Sequence, residues 1–452
     1  MARGFWSVSF GSILMLSVIL AWSSVAAADC PFDWRPDEDV PGIGSNVNAI
    51  VAWDPDGAGP LTTLLVVGGW TRLNPGVEPA EFSGNVAAWD GAAWTVLGGG
   101  MNERVMALAV FEGDLYAGGW FTSAGGNAVS CIARWDGAAW QNVGNGVGDM
   151  VINPNNPPRV IALRGYNEML ALGGRFSIAG GAAGFSNLAT WDGQVWHSLG
   201  LGTPGRVQAL AIDGGSAYAG GIFMSAGGIP ASKLARWSGA SWEPVPNQPL
   251  NGMDDNVNSL ALYQGHLIAG GPFTSAAGVP AKSVAAWDGV AWSAMGDGVT
   301  GDAPTVNAMT EFDGNLIVGG RFTMAGTQNA TNVARWDGSA WQQMGDGSNA
   351  RLNALGVFGG EVVAGGFFTN IDGTDAPHMA RWGPACERGD MDCSGNVDQD
   401  DAPLFVAALL NAPDVSVCSA WLANMNGDLH SDGAPRVDGS DIAPFVQAML
   451  NP

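Results

Sequence analysis

An all-β ring of short antiparallel sheets is the fold class this sequence predicts, and three observations predict it. The pair Trp-x-x-x-x-Trp occurs six times, at Trp89/Trp94, Trp135/Trp140, Trp191/Trp196, Trp237/Trp242, Trp287/Trp292 and Trp336/Trp341. Upstream of each stands a small or apolar run ending in Gly-Gly, from Gly68-Gly69 to Gly319-Gly320; a seventh, Gly365-Gly366, precedes Arg381-Trp382. The composition agrees, with 68 Gly and 20 Trp in 452 residues, 47% hydrophobic and 13% charged. That mix suits tight turns around aromatic packing and does not suit a disordered chain.

Each unit reads as four strands. In the second unit these are VMALAVF, LYAGG, CIARW and a strand that opens at the second Trp of the pair. Alternation and the β-branched and aromatic content favour strands over helices. Asp-Gly between the third and fourth strands signals a tight hairpin, because Gly readily takes positive φ. An even-numbered loop sets both Trp on one face, where they are expected to pack together against the next unit. The Trp-to-Trp period runs from 46 to 56 residues. Four strands at that period fit one blade of a β-propeller and overrun one turn of a β-helix. Seven units predict a seven-bladed propeller over residues 29–385.

The seventh unit lacks its second Trp, and Trp34 is the candidate replacement. CPFDWRPDEDVPGIGSNVNAI reads like WQQMGDGSNARLNAL at 341–355, the end of one blade and the start of the next. The N-terminal strand is therefore expected to close the ring beside the last blade, which removes exposed sheet edges. Cys30 lies four residues before Trp34 and Cys386 four after Trp382. Their ends meet in a closed ring, so a Cys30–Cys386 disulfide is expected, in keeping with an oxidising compartment.

Export is expected from residues 1–28, which read as a signal peptide: Arg3, an apolar core at 10–22, and three Ala at 26–28 before Asp29. No later apolar run reaches the ~20 residues of a membrane span, so a secreted or cell-surface protein without a transmembrane span is expected. Removing the segment removes Arg3 and no acid, which takes the formal net charge from −24 to −25. Such a surface repels phosphates, so no nucleic-acid partner is expected; it tolerates cations or simply keeps the protein soluble.

The pattern GGxFTxAGG…ARWDGxxW, over about residues 34–384, resembles the kelch and galactose-oxidase-like propellers, and looks closer still to the repeats of cell-surface cortical polarity-marker proteins. The resemblance implies the propeller fold and little about activity, since propellers host many functions. An oxidase of that kind would imply copper on Tyr and His. All four Tyr are repeat positions, however: Tyr116 and Tyr218 precede Ala-Gly-Gly, and Tyr166 and Tyr263 stand seven residues before Gly-Gly. His197, His266 and His378 fall in separate units.

Repetition explains most other polar residues. Asp90, Asp136, Asp192, Asp288 and Asp337 belong to the Trp-Asp-Gly turn, with Ser238 in one unit. Asn48, Asn258, Asn307 and Asn353 recur in strand one and are expected to line the channel or bond between blades. Arg134, Arg236, Arg335 and Arg381 precede the strand-three Trp, where stacking or ion pairing between blades is expected. No nucleophile–base set or phosphate loop stands out, so no catalytic or organic-cofactor residue is assigned. The longer connections at 71–84, 146–159 and 243–256 are the expected places for a protein or polysaccharide ligand.

After Cys386 the repeat stops and the chain turns acidic, with eleven Asp/Glu and two Arg in 386–452. DMDCSGNVDQDD places Asp390, Asp392, Ser394, Asn396, Asp398 and Asp401 at loop positions 1, 3, 5, 7, 9 and 12, with Gly395 at 6. Hard oxygen ligands around a Gly turn are EF-hand-like spacing for calcium. A helix, APLFVAALL, is expected to follow. A second copy lies 40 residues on: Asp401 and Phe405 map onto Asp441 and Phe445, and its loop offers Asn424, Asn426 and Asp428 around a longer insert. Cys393 and Cys418 could staple this segment, leaving Cys131 unpaired.

The paired loop-helix pattern resembles a type I dockerin, which implies a small α-helical calcium-binding domain at 386–452 and a cohesin-like partner. The partner-selecting loop positions hold Gln399-Asp400 and Gly439-Ser440 instead of the familiar Ser-Thr. The functional expectation is an exported, non-catalytic binding or scaffolding protein. A polysaccharide-active enzyme carried on a dockerin and a purely structural envelope protein are the competing classes.

Overall fold

The computed structural model describes residues 32–36, 44, 46–57, 61–70, 84–151, 153–245 and 252–385, with 401–402, 405–406, 441–442 and 444–445 in the tail. Among them stand seven four-stranded antiparallel sheets. The second sheet gives the pattern: Val105–Phe111, Asp114–Gly119, Ile132–Trp135 and Trp140–Asn142, paired in chain order. The first strands are Asn46–Trp53, Val105–Phe111, Arg159–Tyr166, Val207–Asp213, Ser259–Tyr263, Thr305–Phe312 and Leu352–Phe358. Each packs on the first strand of the next sheet, the last packs on the first, and together they surround a channel. This is a β-propeller. Its second strands are buried on both faces, so they read as continuous small or apolar runs instead of alternating ones.

The Gly pairs are where sheets meet. A Cβ on the first Gly would lie 2.5 Å from the Val105 side chain at Gly68, 2.5 Å from Val160 at Gly118 and 2.6 Å from Val207 at Gly173. At Gly365 it would lie 2.4 Å from Val47 of the first sheet, so the same close approach closes the ring. The second Gly runs against backbone: a Cβ on Gly119 would sit 2.0 Å from the Arg104 carbonyl oxygen. Gly118→Ala should cost about 1–3 kcal/mol by overpacking. Gly119→Ala should cost more, because a carbonyl cannot rotate aside as a Val methyl can. Gly215→Ala, which meets nothing within 4 Å, should be close to neutral. Denaturation midpoints of the three variants check the order.

The Trp pairs are cross-strand partners, with ring centroids 4.9 to 5.6 Å apart in the six Trp-x-x-x-x-Trp copies. Their packing direction differs from expectation. In four of the six copies the indole of the second Trp donates to the preceding sheet: Trp140 to the Leu97 carbonyl at 2.9 Å, Trp196 to Gly144 at 2.9 Å, Trp242 to Leu199 at 2.7 Å, Trp341 to Met295 at 2.7 Å. The indole nitrogens of Trp94 and Trp292 are buried without such an acceptor among the described residues. The segment leaving strand four of one sheet runs beneath the Trp pair of the next, and only Gly fits there. A Cβ on Gly98 would lie 2.0 Å from the Trp135 ring. The arginines before the strand-three Trp also differ. Arg134 pairs with Asp114 at 3.1 Å and Arg236 with Glu243 at 3.4 Å, each inside its own sheet, because a strand-three side chain faces strands two and four first. Among the described residues only Arg381 of these four stacks across a boundary, over Trp89 of the first sheet at 5.6 Å, besides meeting Glu361 at 3.8 Å.

Phe32–Pro36 is the fourth strand of the seventh sheet, antiparallel to Met379–Pro384 with Trp34 opposite Trp382. Arg35 reaches across the same sheet to Glu361. Cys30, Cys386, Cys393 and Cys418 lie outside the described residues, and with them the disulfide expected between the first two.

In the Trp-Asp-Gly turns the carboxylate caps backbone. Asp136 Oδ1 accepts the N–H groups of Ala138 and Ala139 at 2.9 and 2.8 Å, and Asp90, Asp192, Asp288 and Asp337 repeat the arrangement. Ser238 Oγ accepts the Ser241 N–H at 3.3 Å in the same role. These bonds favour the ionised form and lower the Asp pKa values. At Asp192 the His197 side chain contributes most, then the Val195 and Gln194 N–H groups, and the value falls to about 2. A depressed folded-state pKa gives stability that is present above the ordinary value of 3.8 and lost as pH falls toward the folded one. The melting temperature should therefore drop between those limits, and Asp192→Asn with Asp337→Asn should flatten that drop. Superimposable acid profiles of variant and wild type would contradict the assignment.

Candidate functional site

Repeat-equivalent positions diverge at the end of the ring where first strands begin and second strands end. In six sheets the register of these two strands slips by one residue there, as at Val47/Ala49, Val207/Ala209 and Leu352/Ala354. Such a bulge re-aims one side chain, here toward the channel. The residues in that place include Asn48, Gln208, Asn307 and Asn353, with Asn258 just ahead of Ser259–Tyr263.

Their carboxamides also bond from sheet to sheet. Asn48 Nδ2 donates to the Val105 carbonyl at 3.1 Å, Gln208 Nε2 to Asn258 Oδ1 at 3.1 Å, and Asn258 Nδ2 to Asn307 Oδ1 at 3.3 Å. Asn307 Nδ2 donates to the Leu352 carbonyl at 3.1 Å, and Asn353 Nδ2 to Asn46 Oδ1 at 2.8 Å. Channel lining and inter-sheet bonding are thus one role. Gln208 Oε1 is buried without a hydrogen-bond partner. Deeper in, the exposed Arg164 lines the channel and donates to the Leu163 carbonyl at 2.9 Å.

A second set of residues frames this mouth. Arg104, Arg159, Arg206 and Arg351 stand at or just before the start of strand one, and Trp70, Trp120, Arg175, Arg321 and Phe367 follow Gly-Gly at the end of strand two. The antiparallel pairing makes the two positions neighbours, as with Arg159 opposite Arg175. Guanidinium and aromatic groups therefore interleave. Arg104 lies 3.9 Å over Trp70 and 4.8 Å from the Trp120 ring, Arg159 lies 4.7 Å over Trp120, and Arg351 lies 4.3 Å over Phe367.

The mouth cavity of about 350 Å³ has Arg104 and Arg351 in its wall. Cavities of about 550 and 580 Å³ lie beside it, one with Arg159, Arg175, Arg206 and Asp149, the other with Arg321, Arg351 and Asp302. Arg175 pairs with Asp149, and Arg321 with Asp302 at 3.1 Å. Burial, then the neighbouring charges of Arg206 and Arg175, push the Arg159 pKa down to about 10; burial lowers that of Arg206.

The residues considered for copper do not converge among the described residues. Tyr166 and Tyr263 hydroxyls donate to the Gly215 and Gly314 carbonyls of the next sheet at 3.1 and 2.9 Å. His197 meets Asp192 at 2.7 Å and His266 the Gln264 carbonyl at 3.0 Å.

Of the expected calcium ligands, Asp401 and Asp441 are described, and both are fully buried. The Phe405 N–H donates to the Asp401 carbonyl at 2.9 Å, a helical first turn. Phe405 and Phe445 stack with centroids 3.8 Å apart and rings 1° from parallel, so equivalent residues of the two copies meet. Asp390, Asp392, Ser394, Asn396, Asp398, Asn424, Asn426 and Asp428 lie outside the described residues. Among the described residues no three His, Cys, Asp or Glu side chains gather as a metal site.

One repeat position escaped the sequence reading. The residue before strand three takes a left-handed backbone in every sheet: Asn85, Cys131, Asn187, Lys233, Ser283, Asn332 and His378, with φ from 53 to 70°. Three of the seven are Asn, which tolerates this backbone, but Cys, Lys, Ser and His in the others mask the signal, which otherwise lies in the constant distance before strand three. Cys131 is therefore a scaffold position. Its thiol donates to the Pro158 carbonyl at 3.3 Å, and burial pushes its pKa up to about 12, far from a reactive thiolate.

The fold and this mouth define a β-propeller protein. The model of DUF5122, a β-propeller domain of unknown function, matches residues 313–336, from the turn after strand one of the sixth sheet to the end of its strand three. No curated protein matches the chain. Among solved structures it is similar to the computationally designed Ika8 protein, at 15% identity over 76% of this chain and 98% of that one, TM-score 0.43. It is also similar to the extracellular domain of the one-component system BT4673 from B. thetaiotaomicron (12% identity, 77% of this chain and 39% of that one, TM-score 0.47). The WD40 β-propeller domain of Doa1 is similar at 11% identity over 78% and 97%, TM-score 0.43. Among the described residues no helix is long and apolar enough to cross a membrane.

Proposed function

We propose that this is an exported binding and scaffolding protein: a seven-bladed propeller of the kelch and galactose-oxidase-like kind that holds a ligand at one end of its ring, with a calcium-stabilised, dockerin-like helical tail at 386–452 for attachment. The observation that carries the reading is a division of labour between equivalent positions. The Trp pairs, the Asp turns and the Gly-Gly approaches serve the scaffold in sheet after sheet. Positions flanking strands one and two at the channel mouth break the repeat and bring arginines, aromatic rings and carboxamides around open cavities. The connections at 146–159 and 243–256 also begin or end there. A propeller that keeps its frame constant and varies one face is built to recognise something with that face.

For the tail, the support is a paired arrangement in which two position-12 carboxylates are fully buried beside stacked phenylalanines. Carboxylates turned inward suit a hard cation, which oxygen ligands hold. Calcium would be held by Asp390, Asp392, Ser394, Asn396, Asp398 and Asp401 in the first loop and by Asn424, Asn426, Asp428 and Asp441 in the second. When bound it supplies the charge balance around which two loop-helix units close. A cohesin-like domain is the attachment partner this reading implies.

Two measurements on the exported chain test the proposal. Calorimetry with calcium should show binding that Asp392→Ala and Asp401→Ala weaken; no uptake by the wild type refutes the tail assignment. A polysaccharide screen should give retention without cleavage. Turnover abolished by a single change in the channel refutes the non-catalytic reading.

A further inference from the structure

Arg104, Arg159, Arg206 and Arg351 have no carboxylate partner among the described residues, and all four stand at the same end of the ring. Arg175 and Arg321 join them there, each with one Asp. Six guanidinium groups thus share cavities whose only carboxylates among the described residues are Asp149 and Asp302. The chain as a whole carries 42 acidic against 18 basic residues, so this concentration of positive charge runs against the composition. The groups are also held under tension. Arg159 is 7% exposed and packed among like charges, and the Nε atoms of Arg104 and Arg206 are buried with no hydrogen-bond acceptor. An unpaired buried donor on a cation is costly, and an incoming anion would relieve that cost.

The surroundings narrow the anion. Stacking on Trp70, Trp120 and Phe367 fixes the guanidinium planes while leaving N–H edges for a planar, two-oxygen acceptor, the geometry of a carboxylate. The carboxamides beside them supply donors and acceptors suited to hydroxyl groups, and the mouth cavity of about 350 Å³ has room for a sugar ring. We propose that this face binds an acidic polysaccharide through the carboxylates of its uronic acid residues, Arg104 and Arg206 gripping the carboxylates and the aromatic and carboxamide groups the ring. A peptide is less well matched, because the described lining of the mouth cavity is mostly guanidinium and carboxamide groups. The inference deepens the binding reading above and rests on it.

The test is calorimetry of the exported chain with oligogalacturonate and alginate, alongside a neutral galactan, a sulfated galactan and poly-glutamate. Uronate ligands should bind, and added salt should weaken the binding. Arg104→Gln and Arg206→Gln should each weaken it about tenfold or more, as expected for a charge-assisted pair. Arg104→Lys should fall between, since it keeps charge and loses the fork. Arg335→Gln, an exposed arginine on strand three of the sixth sheet, should bind like the wild type, and unchanged melting profiles exclude misfolding.

No uronate binding, binding unaffected by both Gln substitutions, or equal binding of poly-glutamate or the sulfated galactan would each overturn the inference. Binding of the neutral galactan alone overturns it too, yet leaves the binding-protein reading standing. Cleavage of any glycan fails that reading instead.

Discussion

Trp34→Ala should lower the melting temperature more than any other single aromatic truncation in the ring. Trp34 is 3% exposed, and its indole N–H donates to the Met344 carbonyl at 2.9 Å in a buried setting. Its ring lies 5.4 Å from that of Trp382 and packs into a cluster with Val333, Met344, Val362 and Phe368. Truncating a buried Trp costs about 3–5 kcal/mol. Elsewhere in the ring the second Trp of a pair sits on a strand joined by a tight turn to the rest of its sheet. Trp34 sits on a five-residue strand whose partner, Met379–Pro384, lies at the other end of the chain. Loss of its packing therefore releases the strand as well as the side chain, and leaves Met379–Pro384 as an unpaired edge open to association. The expected shift is roughly 5 °C for a ring of this size, with earlier aggregation on heating. Trp34→Phe keeps a ring on Trp382 but leaves the Met344 carbonyl unpaired, so its shift should be smaller, from a cost of about 1–3 kcal/mol. A Trp34→Ala melting curve like the wild type's would show that the N-terminal strand does not hold the ring.

The fold was legible because its signals are repeated. Gly-Gly, the Trp pair and Asp-Gly recur at one spacing, and each is demanded by a contact every sheet makes. Even the closing strand could be read, because Trp34 stands where the seventh Trp pair lacks a member. What the repeat could not convey was direction. Two Trp on one face must pack on something, but whether they meet the sheet before or after depends on where the chain runs as it leaves strand four. The arginine-lined mouth was hidden for a related reason. Arg104, Arg159, Arg206 and Arg351 appear singly, about one per unit, against an acidic background, and only ring closure gathers them. The carboxamides were noticed as recurring Asn, but the bulge that turns them into the channel leaves the apolar pattern of strand one nearly intact. In the tail the Asp401/Phe405 and Asp441/Phe445 repeat could be read at its 40-residue offset, whereas the coming together of Phe405 and Phe445 follows from that offset only if the two copies fold against each other.

A Cys30–Cys386 disulfide should be found by peptide mapping of the full chain without reduction, and its loss should rank beside that of Trp34. Both cysteines lie outside the described residues, so the expectation rests on register. Phe32 stands opposite Pro384, Trp34 opposite Trp382 and Pro36 opposite Ala380; the same register, if it continued two residues outward, would pair position 30 with position 386. Directly opposed residues of antiparallel strands lie within the Cα separation that a disulfide spans. The bond would close a loop of roughly 350 residues, for which removal costs about 2–5 kcal/mol. Cys30→Ser and the double variant Cys30→Ser/Cys386→Ser should melt alike, because either change removes the same link, and reduction should bring the wild type down to them. Cys131, buried with its pKa pushed up to about 12, should resist alkylation until the protein unfolds and so give no competing signal. Alkylation of Cys30 and Cys386 in the native, unreduced protein, or a bridge from Cys386 to Cys393 or Cys418, would rule the pairing out. The physical case for the bond is the seam itself. In six sheets the backbone joins all four strands in sequence, whereas in the seventh pairing and packing hold the fourth strand, and a covalent link just beyond Phe32 and Pro384 would fasten the ring where the chain does not.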